Sequence, residues 1–177
     1  MDRIDEKGFR QNVGIILMDD ANRVLIAGRS GRTGWQFPQG GVQNRESAEQ
    51  AMYRELQEEV GLAPGDVRVT SVTREWIRYR LPKKYQRKEV KPLCVGQKQR
   101  WFLLSLVTDP GKLRFDATDQ PEFDRCRWVD YWKPVEEVIY FKRKVYIRAL
   151  TELARAAFEG LEPPPMPSSW PSSWHER

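Results

Sequence analysis

Three glutamates on one short stretch, Glu55, Glu58 and Glu59, limit what this chain can fold into more than any other feature. Residues 47–60 read as a helix: Ser47 can cap its start, Gly61 stands at its stop, and Met52, Leu56 and Val60 form an apolar row at i+4 spacing. At about 100° per residue the three acids share one face of that helix. Like charges so close repel, so the face is either well solvated or shared by a cation. Hard oxygen donors without sulfur or imidazole favour Mg²⁺, with Mn²⁺ or another divalent cation as substitute. An ion held by a few carboxylates keeps open positions for phosphate oxygens, as phosphoryl chemistry requires. Arg54 lies beside the acids and can anchor a carboxylate bidentately. Gly40 and Gly41 free the backbone ahead of the helix. The helix can therefore be buried along its apolar row while its acids face a cleft.

Other residues prune the chemistry. The single histidine, His175, sits in a Pro/Ser-rich stretch, which argues against a histidine triad, a phosphohistidine or a histidine-ligated zinc. Acid–base work falls to carboxylates, Lys or Tyr. Cys94 and Cys126 lack metal-like spacing and read as ordinary thiols. A chain of 177 residues, 40% hydrophobic and 31% charged, is the size of one globular domain. No run approaches the roughly 20 apolar residues of a membrane span, and the first seven residues do not resemble a signal peptide. The expectation is a cytoplasmic protein without membrane association. Net charge is +5, yet residues 74–100 carry ten basic residues against Glu75 and Glu89. Concentrated positive charge suggests a polyanionic partner.

Strands are expected over 12–17, 23–27, 35–38, 67–77 and 99–108, with another ending over 127–130. Residues 78–98, holding Pro82 and Pro92, read as loop with some strand. Residues 134–160 read as mostly helical, with an apolar face through Val145, Ala149, Leu153 and Ala156 or Ala157. The fold class is α/β with a mixed sheet. The domain is placed at 1–160, and the Pro, Ser and Trp composition of 161–177 reads as a disordered tail.

The segment 40–62 resembles the Nudix hydrolase family. Gly40, Glu46, Arg54, Glu55, Glu58, Glu59 and Gly61, with apolar Leu56 and Leu62, match every fixed position of Gly-x5-Glu-x7-Arg-Glu-U-x-Glu-Glu-x-Gly-U, where U is apolar. The resemblance implies a Nudix α/β/α sandwich with a central mixed sheet, and hydrolysis of a nucleoside diphosphate linked to another group. Over about residues 8–155 the likeness narrows to the bacterial RNA pyrophosphohydrolase subgroup. It is carried by Gly8–Gly14, Trp35–Gly41, Glu49–Leu56, Gly96–Phe102, Pro121–Asp124 and Phe141–Arg143. Gly34 departs from the serine found in some members.

Carried over position by position, the resemblance implies metal ligands at Glu55, Glu58, Glu59, Glu122 and Gly40. It implies catalytic roles for Glu59, Glu58, Glu55, Glu122 and Arg54, and substrate contacts at Arg10, Arg29, Gln39, Gly40, Phe141 and Lys142. On sequence pattern alone an exposed loop carboxylate is the stronger reading of Glu122, and only the Pro121–Asp124 likeness raises the site role above it. The implied substrates are 5′-triphosphorylated or diphosphorylated RNA ends, cut to the monophosphate by metal-assisted in-line attack of water. Deprotonation would fall to Glu59 or a neighbouring carboxylate. Related enzymes cut diadenosine polyphosphates, so an asymmetric diadenosine tetraphosphate hydrolase is the alternative. A catalytically inactive Nudix domain sensing RNA or nucleotide is a third reading, against which the intact glutamates argue. The basic stretch, interleaved with Trp76, Tyr79, Tyr85 and Trp101, suits single-stranded RNA. The plain alternative is a solubilised loop with Trp76 and Trp101 in the core.

Overall fold

The computed structural model describes residues 2–89 and 91–175. Its frame is the parallel pair of β1 (Phe9–Met18) and β7 (Gly96–Leu106), in register from Phe9↔Gly96 to Met18↔Ser105. On the other edge of β1, β4 (Gln39–Gly41) pairs antiparallel with its first half and β2 (Val24–Arg29) meets its end. The strand β2 also carries β3 (Trp35–Gln36) and β8 (Phe123–Val129). The far edge of β7 carries β5 (Val67–Val72) and β6 (Ile77–Arg80).

Alternation along β1 splits the core into two layers, because successive side chains leave opposite faces of a strand. Val13, Ile15 and Leu17 point to the helix α1 (Ala48–Val60) and pack with Ala51, Met52, Leu56 and Val60. Ile16 and Met18 point the other way, to α3 (Arg143–Ala157), and pack with Val145, Tyr146, Ala149, Leu150 and Leu153. The result is the expected α/β/α sandwich around a mixed sheet. Trp101 is fully buried in the α3 layer. A Cβ on its cross-strand neighbour Gly14 would lie 2.3 Å from the indole ring, so glycine is what lets this tryptophan lie across β1. Trp101 is thus a core residue, whereas Trp76 is half-buried beneath the Lys98 and Arg100 cations, each 5.9 Å from its ring.

Two expectations need correction and one, the mostly helical stretch, is resolved into its parts. The strand expected over 67–77 is two strands, because Thr73 turns inward: its Oγ1 accepts from Trp101 N at 3.0 Å, and its N–H donates to Trp101 O. The helical stretch 134–160 is α2 (Lys133–Glu137), a short 3₁₀ turn at Tyr140–Lys142, and α3. The tail expected to be disordered is anchored to the domain at several points of its described part, residues 161–175, among them Pro164, Met166, Trp170 and Trp174. Trp170 is 8% exposed and donates from Nε1 to Glu136 at 2.9 Å, and Trp132 Nε1 donates to Pro164 O at 2.7 Å. Composition misled because isolated tryptophans can anchor a segment that has no periodic apolar face. Residues 176 and 177 of that tail, like Met1 and Val90, lie outside the described residues. Among the described residues no helix is long and apolar enough to cross a membrane.

Candidate active site

The helix α1 begins at a capping box, Ser47 accepting from Gln50 N while the Gln50 side chain accepts from Ser47 N. It ends at Gly61 with φ 72°, the left-handed stop. Between these ends one carboxylate oxygen each of Glu55, Glu58 and Glu59 lies within 4.8 Å of the others. Glu55 is buried, and the other two are half-buried.

Arg54 holds this arrangement in shape. All five of its N–H donors find acceptors: Nε and Nη2 grip Glu46 at 2.7 and 3.1 Å, Nη1 reaches Glu55 at 2.7 Å and Glu58 at 3.1 Å, and Nη2 also donates to Gly41 O at 2.7 Å. Glu46 therefore orients the arginine that orients two acids. Its sequence signal was its fixed place in the 40–62 pattern, but no role had been read from it. Glu59 makes no bond to Arg54. The Val13↔Gly40 pairing brings Gly40 over Glu55, where a Cβ would sit 1.8 Å from the carboxyl carbon. That space exists only for glycine.

Burial raises the Glu55 carboxyl to about 7, Arg54 opposing, and raises Glu59 to about 8, helped by the charges of Glu122, Glu55 and Glu58. A cluster that holds on to protons near neutrality favours a divalent cation in their place. The all-carboxylate donor set, the glycine-only space beside Glu55 and the braced arginine fit a hard cation.

Glu122 precedes β8, and its Oε1 accepts a long bond from Gln36 Nε2 at 3.4 Å. The residue is exposed at the surface, but its carboxyl faces the acidic cluster and burial raises its pKa. The cations of Arg29, Lys142 and Arg10 oppose that rise. The structure thus brings four predicted acids and three predicted cations to one cleft. Lys142 is 8% exposed, and burial followed by the charge of Arg29 lowers its pKa to about 8. Arg10 pairs with Asp2 at 2.7 Å and keeps a buried Nε without a partner among the described residues. Gln39 accepts from Gln99 Nε2 at 3.1 Å, and the same nitrogen donates to Asn12 Oδ1 at 2.8 Å. Gln36, Asn12 and Gln99 were not singled out in sequence. Only their burial on polar stretches of strand reveals them.

Phe141, beside Lys142, stacks on Tyr79 at 6.1 Å between ring centroids and lies 5.2 Å from the exposed Tyr85. Lys84 stands 5.0 Å over the Tyr85 ring. Arg78 and Arg80 both lie over Phe9 at 5.4 Å, and with Lys83, Arg87 and Lys88 they are exposed. Positive charge and aromatic surface therefore continue outward from the Lys142 end of the cleft.

A model of the NUDIX domain matches residues 8–150. An RNA pyrophosphohydrolase of Pseudomonas paraeruginosa is 58% identical over 151 residues, 85% of this chain and 95% of that protein. One from Alkalilimnicola ehrlichii is 54% identical over 164 residues, 91% of each chain. Among solved structures, the Escherichia coli dihydroneopterin triphosphate pyrophosphohydrolase shares the fold, with TM-score 0.63, 19% identity, and 80% of this chain and 95% of that one covered. Nudix hydrolases generally use divalent metal ions, and the acidic cluster supplies donors of that kind. On a family match that spans most of its length and on these relatives, the chain belongs to the Nudix hydrolase family, as a pyrophosphohydrolase.

Proposed function

We propose that this enzyme removes pyrophosphate from 5′-triphosphorylated RNA, or phosphate from 5′-diphosphorylated RNA, and leaves the 5′-monophosphate. One observation carries the choice of substrate. Lys142 and Phe141 join the acidic cleft at Glu122 to an exposed ledge of Tyr85, Lys84 and the basic residues 78–88. A 5′ polyphosphate fits the cleft, and a single strand leaving it meets stacking surface and cations in turn. The names of the Pseudomonas paraeruginosa and Alkalilimnicola ehrlichii relatives support the same substrate.

In this reading Glu55, Glu58 and Glu59, with Glu122 and the Gly40 backbone, would hold Mg²⁺, for which Mn²⁺ or another divalent cation could substitute. Such a cation would neutralise charge on the phosphates and make water a better nucleophile. Arg10, Arg29, Gln39 and Lys142 bind the phosphate oxygens and set the chain in line. Water attacks the β-phosphorus, the bridging oxygen stays with the α-phosphate, and pyrophosphate leaves. Glu59, the one acid of the triple free of Arg54, takes the proton from the water, with Glu122 placed to share that work.

Measuring kcat/KM with Mg²⁺ on 5′-triphosphorylated RNA and on diadenosine tetraphosphate tests the proposal. RNA should be favoured by roughly tenfold or more, the worth of about one stacked base. Preference for the dinucleotide would make the enzyme an asymmetric diadenosine tetraphosphate hydrolase, since the acidic cluster serves both substrates. Binding of RNA without turnover of either would leave the domain a sensor.

A further inference from the structure

The backbone of the segment that presents Phe141 and Lys142 makes few hydrogen bonds of its own. Of its backbone bonds, Val138 N donates to Pro134 O and Lys142 N to Ile139 O, and Ile139 and Tyr140 are 40% and 52% exposed. Neither α2 nor α3, the helices on either side, begins with a side-chain cap. Tyr79 and Tyr85 brace Phe141 from the sheet side. Val138 anchors its start in the core at 3% exposed, and residues 164–175 grip the elements that flank the segment on either side. On the α2 side Trp170 donates to Glu136 at 2.9 Å, and Trp132 Nε1 donates to Pro164 O. On the α3 side the Arg143 guanidinium lies 4.5 Å over Trp174, and Trp174 in turn packs 5.6 Å from Trp170. Arg143, the first residue of α3, follows Lys142 directly, its buried Nε has no hydrogen-bond partner among the described residues, and the Trp174 indole packs against its guanidinium.

We propose that Trp170 and Trp174 are positioning residues that clamp segment 138–142 and thereby hold Phe141 and Lys142 in register with the cleft. The inference rests on the substrate roles proposed above for those two residues. The clamp touches neither the acidic cluster nor Arg54, so it acts on substrate binding and not on the chemical step.

Single substitutions in the full chain test it. Trp174→Ala should raise KM for triphosphorylated RNA about two- to fivefold, the worth of an exposed cation–π contact, with kcat nearly unchanged. Trp174→Phe, which keeps a ring under Arg143, should restore most of the loss. Hydrogen exchange at the Val138 and Lys142 amides should quicken in Trp174→Ala while exchange across the β1–β7 ladder stays as in the parent protein. Trp174→Ala combined with Phe141→Ala should cost less than the two KM effects multiplied, because both act through one ring. Unchanged exchange at 138–142, exchange that quickens equally throughout the sheet, or fully multiplicative KM effects would each overturn the clamp. If Phe141→Ala alone leaves KM unchanged, the stacking role fails instead, and the exchange data decide the clamp without it. Trp170→Ala, which opens a buried position and loses the bond to Glu136, should show the same local exchange with a larger loss of Tm.

Discussion

Replacing Glu59 with Gln removes one charge from a crowded half-buried cluster and keeps the shape of the side chain. In the metal-free protein the Glu59 carboxyl is raised from 4.5 to about 8, first by burial and then by Glu122, Glu55 and Glu58. The folded state therefore holds a proton that the unfolded chain has released, and stability falls as pH rises from about 4.5 to about 8. Taken alone, that rise sets a ceiling of about 5 kcal/mol above pH 8. Protonation of Glu55, itself raised to about 7, relieves part of the same repulsion, and water reaches the cleft, so the gain from one amide is about 2 kcal/mol. For a chain of this length that is roughly 4–8 °C in Tm. Thermal unfolding in EDTA should show Glu59→Gln more stable than the parent protein at pH 8.5, with the difference vanishing near pH 5. Adding Mg²⁺ should stabilise the parent protein more than the variant. Hydrolysis by the variant should drop by two or more orders of magnitude. A variant less stable than its parent at pH 8.5 in EDTA, or a gain that does not change with pH, would refute the electrostatic account.

Arg54→Lys should cost about 2–3 kcal/mol in urea unfolding, because three donors cannot replace the five-point grip and Glu46 is left half-paired. Gly40→Ala should lower kcat at least a hundredfold with the fold retained by circular dichroism, since its Cβ must displace the Glu55 carboxylate. The variant Arg78→Gln, Lys83→Gln, Lys84→Gln, Arg87→Gln should raise KM for triphosphorylated RNA and flatten its log–log salt dependence by about 1–3, with diadenosine tetraphosphate turnover barely changed. Equal effects on both substrates would argue against an RNA path over that ledge. Raising pH through about 8 should raise KM for either substrate as Lys142 loses its charge, a trend absent from Lys142→Arg.

What was legible in the sequence was what is local. Glu55, Glu58 and Glu59 fall on one face because helical periodicity decides it within a single turn, and the Ser47 and Gly61 boundaries follow from capping chemistry alone. Distance along the chain hid the rest. Glu46 meets Arg54 because Arg45 takes a positive φ of 67° in the intervening loop, which no propensity flags in an arginine. Gln36 and Glu122 stand 86 positions apart and meet only through β2, which pairs with the strands that carry or follow them. The tail escaped because its anchors, Trp170 and Trp174, are single residues with no repeat.

The polar start of β7 shows why such failures gather where they do. Gln97 and Lys98 would not be chosen as strand from their own hydrophobicity, yet with Gln99 they pair in full register with Arg10, Gln11 and Asn12. Gln99 is fully buried, and its Oε1 has no partner. A core strand would fill that place with an apolar side chain, as Val13, Ile15 and Ile16 and Trp101–Leu104 do further along the same ladder. Burying an amide with an unpaired oxygen destabilises the fold by roughly 1–3 kcal/mol, a cost that packing gives no reason to bear. It is intelligible if the Gln99 amide is there to hold Asn12 and Gln39 in place beside the acidic cluster, with a buried water completing its bonding. The ladder thus changes from a buried polar network to apolar core between Gln99 and Trp101. The point where hydrophobic patterning stops predicting strand is where the sheet stops serving the fold alone.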